Sequence, residues 1–154
     1  MLTEQPIRMP NDYVCYHTAV RPKIKRKNVP VTYMAAHNSC KINNRTLALW
    51  SRILQSQPYA RLLMAYKGLQ ANERRIKETL GVDNEIIIYD HIPHEQMMEL
   101  YNEADVTLDT WPYSGGLVVC ESLYMGVPVV TLPSQMFSGR HAASHLKNVG
   151  LSDY

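Results

Sequence analysis

A chain of 154 residues, 45% hydrophobic and 19% charged, is long enough for one domain with its own core, and a formal net charge of +2 is too small to signal a nucleic-acid partner. No apolar run approaches the ~20 residues of a membrane span. Thr3, Glu4 and Gln5 interrupt what would be the apolar part of a signal peptide, so a cytoplasmic protein with no membrane partner is expected.

Residues 1–30 are rich in proline, charge and isolated aromatics such as Tyr13 and Tyr16, and read as an incoming linker segment. Their basic run, Arg21, Lys23, Lys25, Arg26 and Lys27, has no interleaved aromatic side chains for base stacking and reads as a solvated connection. From Val31 onward apolar runs of strand length alternate with stretches of helical period, which predicts strands over residues 31–35, 61–66, 85–89, 106–109 and 128–132. Each run is nearly continuous in its apolar character, the mark of parallel strands covered on both faces. The helix after the first strand carries Leu47, Trp50, Ile53 and Leu54 on one face, and the one before Asp105 carries Met97, Met98, Tyr101 and Ala104. Gly81, Gly126 and Gly150 stand where helices should stop, and Pro128 bars continuation past Gly126. The expected architecture is α/β, a doubly wound, Rossmann-like parallel sheet over residues 31–154, cut from a longer parent.

The most informative stretch runs from Asp109 to Gly116, Asp-Thr-Trp-Pro-Tyr-Ser-Gly-Gly, between the apolar Val106, Thr107 and Leu108 and a helical pattern over residues 118–125. It reads as strand, glycine loop, helix start, an order that gathers unpaired backbone N–H groups in one concave spot suited to phosphate. Gly115 and Gly116 leave room for a diphosphate to approach the backbone. Glu121, placed one turn into the helix, has two readings: a carboxylate reaching sugar hydroxyls, or a negative charge that merely suits the helix N-terminus or faces solvent.

Ligands of an open parallel sheet sit beyond the carboxyl ends of the strands, so the polar residues there matter most. They are His37, Asn38, Ser39 and Lys41 after the first strand, Asp90, His91 and His94 after the third, and Asp109 after the fourth. Lys41 precedes Asn43 and Asn44, candidate caps of the next helix, and reads either as a phosphate ligand beside that helix's positive end or as a surface lysine. The spacings of His37, His91, His94 and His141 match no zinc motif, so these read as ordinary loop histidines. Cys15, Cys40 and Cys120 are odd in number and lack ligand spacing, which argues for plain thiols. With no Gly-x-Ser-x-Gly elbow, and Cys120 inside a helix, no nucleophilic triad is supported. Met97 and Met98 read as gap-filling core.

The phrases Pro-Ile-Arg-Met-Pro-Asn-Asp-Tyr-Val-Cys-Tyr from Pro6, Cys-Lys-Ile-Asn-Asn-Arg-Thr-Leu-Ala-Leu-Trp from Cys40, and the long run from Ala104 to Leu146 resemble, in order, the carboxyl-terminal half of the O-GlcNAc transferase family, whose bacterial members are often fused to tetratricopeptide repeats. The resemblance covers nearly the whole chain. It implies the donor-binding domain of a GT-B glycosyltransferase that moves a sugar from a nucleoside diphosphate, UDP-GlcNAc above all, to a protein Ser or Thr hydroxyl without metal or other cofactor. By that resemblance Lys41 matches the diphosphate lysine, Asn38 a polar position near phosphates and sugar, and Glu121 the acidic residue on the ribose. Gly115 and Gly116 match the donor loop, while Ile92 and His94 occupy positions that contact the base.

The chain departs from the family where paired threonines usually bond the phosphate, for it carries Leu117 and Val118, and where a histidine often stacks on the uracil, for it carries Met97. Acceptor-side catalytic residues belong to the other half of such an enzyme, so no catalytic residue is expected in this chain. Two alternatives stand beside the donor domain: a relic that keeps the fold for interaction, and a generic phosphate-binding module such as half of a sugar-nucleotide epimerase.

Overall fold

The computed structural model describes residues 5, 7, 9–25 and 30–151. Five strands, β1 (Thr32–Ala35), β2 (Arg61–Ala65), β3 (Ile86–Tyr89), β4 (Val106–Leu108) and β5 (Val129–Val130), alternate with helices α1 (Asn44–Gln55), α2 (Glu73–Leu80), α3 (His94–Leu100), α4 (Leu117–Tyr124) and α5 (His141–Asn148). All pairings are parallel, in the spatial order β3-β2-β1-β4-β5. The connections run outward from β1 in one direction and then, after β3, cross to β4 and run outward in the other. The sheet is therefore doubly wound, and its switch point lies between β1 and β4.

Side chains alternate across the pleat, which is why consecutive residues of β1 and β2 feed different cores. Ala35, Leu62 and Met64 face Leu47, Trp50 and Leu54 of α1 and Ile76 and Leu80 of α2. Met34, Ala36, Leu63 and Ala65 face Met98 of α3, Tyr101, Met125 and Val127. A smaller cluster joins Val119 of α4, Val129 of β5, and Ala142 and Leu146 of α5. Ile53 and Met97, read from periodicity as core, are only partly buried at the margins of these clusters.

The helix stops fall where glycine predicts them: Gly81, Gly126 and Gly150 take positive φ angles of 56°, 73° and 77°. Asn43 caps α1, its side chain accepting from the Thr46 N–H at 3.0 Å. The expectation of strands buried on both faces holds for the central β1 and β2 but not at the edges. Ile86, Ile87 and Ile88 of β3 are only half-buried and Tyr89 is exposed. β5 is two residues long rather than five, because Pro128 and Pro133 lack N–H donors and Thr131 turns its hydroxyl back to Asp109.

The described residues before Pro30 form neither helix nor strand, yet they are fastened to the domain. Asp12 pairs with His145 and the Tyr13 hydroxyl with His141, both on α5, and the Tyr16 ring meets Tyr124 edge-on at 5.9 Å. Asn102 accepts from the Lys25 N–H at 2.7 Å and donates to the Lys23 carbonyl at 3.0 Å. Arg26 and Lys27 of the basic run lie outside the described residues. No helix among the described residues is long and apolar enough to cross a membrane.

Candidate functional site

The loop after β4 is organised by one carboxylate. Asp109, its side chain 1% exposed, accepts from the Thr110 and Gly115 N–H groups at 2.9 and 2.7 Å through Oδ1, and from the Ser114 and Thr131 hydroxyls at 2.6 and 2.7 Å through Oδ2. These bonds close the glycine loop on itself. Ser114 Oγ also accepts the Ala142 N–H at 3.0 Å, tying the loop to the start of α5. From the other side, Asn43 Nδ2 and Thr46 Oγ1 donate to the Trp111 carbonyl at 2.6 and 3.0 Å, so the first turn of α1 grips the same loop.

Lys41 lies in a short 3-10 turn over Ser39–Lys41 that Asn38 opens by accepting from the Cys40 N–H at 3.1 Å. Its Nζ donates to the Ser114 carbonyl at 3.0 Å and sits 3.8 Å from the centroid of the Tyr113 ring. Burial lowers its pKa from the ordinary lysine value, against the opposing pull of Asp109. The reading of Lys41 as a plain surface lysine is thus corrected: its ammonium is held against the glycine loop.

His37 also departs from the reading of ordinary loop histidines. It is 1% exposed, and its Nε2–H donates to the Leu108 carbonyl at 2.9 Å, while Nδ1 has no partner among the described residues. Burial holds its pKa below the usual imidazole value even with the Asp109 carboxylate 3.8 Å away, which fits a neutral ring.

Beside this loop, towards β2 and β3, opens a cavity of about 710 Å³ whose walls include Asn38, Gly68, Asp90, Ile92, Met97 and Leu117. Val118, His94 and Glu121 line it too. Asp90 shapes the far wall by accepting the Gly68 N–H at 2.5 Å. Glu121 is the fifth residue of α4, past the first turn, and is 3% exposed, so neither solvent exposure nor helix-end charge explains it. Its Oε1 bonds His94 Nε2 at 2.8 Å. Burial raises its pKa above the usual carboxylate value, with His94 opposing.

A carboxyl held above its ordinary value binds a proton more readily folded than unfolded, so wild-type stability rises as pH falls through the window between the ordinary value of 4.5 and the raised one. Glu121→Gln, which keeps an oxygen acceptor for His94, is therefore expected to raise the thermal midpoint at pH 7, the advantage shrinking as pH drops through that window. Paired melts at pH 7 and pH 4 check both the sign and the window.

The structure divides the residues singled out from sequence into two neighbouring groups. Asn38, Ile92, His94, Leu117, Val118 and Glu121 line the cavity. Lys41, Gly115 and Gly116 lie at the glycine loop at the switch point. The two glycines differ. A Cβ on Gly115 would come within 2.8 Å of Val118 Cγ2 and 2.9 Å of His37 Cε1, whereas one on Gly116 would meet nothing within 4 Å. Gly115→Ala is expected to cost about 1–3 kcal/mol of folding stability by overpacking, and Gly116→Ala to stay within about 0.5 kcal/mol of wild type; urea midpoints measure both. Of the two loop glycines, Gly116 is the one with open space beside it. α4 begins there with no side-chain cap.

Sequence reasoning noticed Asp109 as a polar residue after a strand but gave it no role. The signal was present: an acid at a strand end, followed by donors at Thr110, Ser114 and Gly115. Tyr101, whose hydroxyl donates to the Val118 carbonyl at 3.1 Å and braces the start of α4, was read only as apolar helix face. Among the described residues no group of three or more His, Cys, Asp or Glu is placed to hold a metal ion, and the three cysteines are free.

The strand order, with Lys41 and the glycine loop at the switch point between β1 and β4, defines a doubly wound α/β domain. Residues 13–154 match the profile of glycosyl transferase family 41, and the chain belongs to that family. It is 34% identical over 164 residues to the probable UDP-N-acetylglucosamine–peptide N-acetylglucosaminyltransferase SPINDLY of Solanum lycopersicum, a match covering 97% of this chain and 17% of that protein. Its identity to the SPINDLY protein of Arabidopsis thaliana is 32%, covering 96% of this chain and 18% of the relative. Among solved structures, a mutant O-GlcNAc transferase of Thermobaculum terrenum superposes with a TM-score of 0.75 at 32% identity, over 86% of this chain and 28% of that one. UDP-GlcNAc 2-epimerase of Neisseria meningitidis, solved with UDP-GlcNAc, shares the fold alone, with a TM-score of 0.54 at 15% identity over 84% of this chain and 36% of that one. The chain thus spans under a fifth of the length of these two curated relatives.

Proposed function

We propose that this chain is the donor-binding part of a cytoplasmic protein O-glycosyltransferase, holding a nucleotide sugar of the UDP-GlcNAc type. The observation that carries the reading is the Lys41 ammonium fixed against the glycine loop, beside an uncapped start of α4 and an open Gly116. As the bond between sugar and diphosphate breaks, negative charge grows on the departing oxygens, and a lysine with a helix N-terminus stabilises it. This assigns the diphosphate's charge to protein groups, with no metal or other cofactor. Lys41 exchanges its bond to the Ser114 carbonyl for the stronger bond to phosphate. The cavity takes the nucleoside, with Ile92 and His94 towards the base, Glu121 towards the ribose and Asn38 near the phosphates.

The acceptor hydroxyl, a Ser or Thr of another protein, and the groups that activate it belong to the missing amino-terminal half of the parent, together with any tetratricopeptide repeats. The 154-residue chain accordingly binds donor without transferring sugar. A second reading, a domain that keeps the fold after losing the donor, is favoured by one observation: Leu117, 61% exposed at the cavity wall, and Val118 stand where the family's threonine hydroxyls would bond phosphate.

A titration followed by amide chemical shifts separates the two. Saturable shifts at Lys41, Gly116 and Glu121 with UDP, UDP-GlcNAc or GDP, absent in Lys41→Ala, support the donor domain. No shifts at millimolar nucleotide overturn it in favour of the relic.

A further inference from the structure

Along the carboxyl edge of the sheet the described features fall in strand order. The cavity lies at the ends of β2 and β3, and Lys41 and the glycine loop follow β1 and β4. Next, at the β5 end, stands a group of rings outside the cavity. Tyr113 and His141 have centroids 6.1 Å apart, Phe137 meets His141 edge-on at 5.2 Å, and Tyr13 lies 5.3 Å from Phe137 and 5.7 Å from His141. Tyr13, Tyr113 and Phe137 are 47%, 49% and 63% exposed, so ring surface is gathered here and left open. Tyr113 is also the ring beneath the Lys41 ammonium, which makes the group continuous with the lysine.

Resting on the donor-domain reading, we propose that Tyr13, Phe137 and His141, with Tyr113, form the wall that receives the sugar ring of the donor and sets which sugar is accepted. A pyranose presents C–H groups on its faces and hydroxyls at its rim, which suits open aromatic faces flanked by a phenol and an imidazole. The sugar is covalently next to the diphosphate, and this wall is next to Lys41 on the side away from the nucleoside cavity. Three strand spacings from β2 to β5, each ~4.8 Å, give roughly 14 Å along which nucleoside, diphosphate and sugar are laid out in that order. The lead-in segment thereby contributes to the site: Asp12 pairs with the buried His145 and holds Tyr13 over α5.

The test compares affinities of the 154-residue chain for UDP against UDP-GlcNAc and for GDP against GDP-fucose by calorimetry. Phe137, largely exposed, can be changed with little risk to folding. Phe137→Ala is expected to shift the ratio of the two affinities in the bound pair roughly fivefold against the sugar nucleotide, with the nucleoside diphosphate affinity unchanged. Tyr13→Ala should act in the same direction, and Phe137→Trp should retain the wild-type ratio. An unchanged ratio in Phe137→Ala and Tyr13→Ala, or an equal loss with and without the sugar, overturns the wall. Failure of all four nucleotides to bind the wild type overturns the donor reading itself, and the wall with it.

Discussion

Asp109→Asn is expected to lower folding stability by about 3–5 kcal/mol, read as a shift in urea midpoint at unchanged slope. The side chain keeps its shape, but one oxygen that accepts becomes an amide that donates. Whichever way the amide turns, it faces two donors: Thr110 and Gly115 N–H on one side, or the Ser114 and Thr131 hydroxyls on the other. Hydrogen bonds to a charged acceptor contribute about 1.5–3 kcal/mol each, and a buried donor left without a partner costs about 1–3 kcal/mol. Hydroxyls rotate while backbone N–H groups do not, so the amide settles against Ser114 and Thr131. Ser114 then accepts from the amide as it does from Ala142, and its own hydroxyl hydrogen loses the charged acceptor. A midpoint within error of wild type would show that the loop is held by its other contacts, those of Asn43 and Thr46 to Trp111.

Lys41→Ala should weaken nucleoside diphosphate binding by roughly 10- to 100-fold, the equivalent of about 1.5–3 kcal/mol for a partly shielded charge-assisted bond. Stability should change little by comparison, because the ammonium's bond in the free chain is a single one to the Ser114 carbonyl. Lys41→Arg should not restore affinity fully, since the planar guanidinium needs a wider seat than a compact ammonium over the Tyr113 ring. Calorimetry on the three proteins measures this. Equal affinity in wild type and Lys41→Ala would remove the lysine from the site.

The order of strands and helices was readable because a parallel sheet demands apolar runs separated by amphipathic ones, and glycine marks where helices end. Strand neighbours followed only through the fold class, since a doubly wound sheet implies β1 between β2 and β4. The register was not legible: no local pattern around Met34 or Thr107 sets these two residues opposite each other. The glycine loop was legible as a loop, and its two glycines looked alike in sequence. Only the packing of His37 and Val118 against Gly115 separates a glycine needed by the fold from one that leaves room for a ligand. Glu121 was placed correctly on α4, one turn past Gly116, but its burial and its bond to His94 of α3 could not be read from the chain, because α4 is apolar nearly all round and shows no polar face to orient it. The lead-in segment gave no periodic signal. Its attachment rests on isolated side chains, Asp12, Tyr13 and Tyr16, whose partners lie more than a hundred residues further on, and on the Lys23 and Lys25 backbone held by Asn102.

The Ser114 hydroxyl, shared between the Asp109 carboxylate and the Ala142 amide in the first turn of α5, has a consequence for how affinity is set. A loop ordered before its ligand arrives has already borne its entropy loss during folding, so association spends little on ordering it. Substitutions at Thr131 or Ala142, which sit on the far side of this junction, should then alter affinity by loosening the empty state rather than by deleting a contact. Their effect would appear as preorganisation lost: a weaker complex with a more unfavourable binding entropy and the same bound geometry.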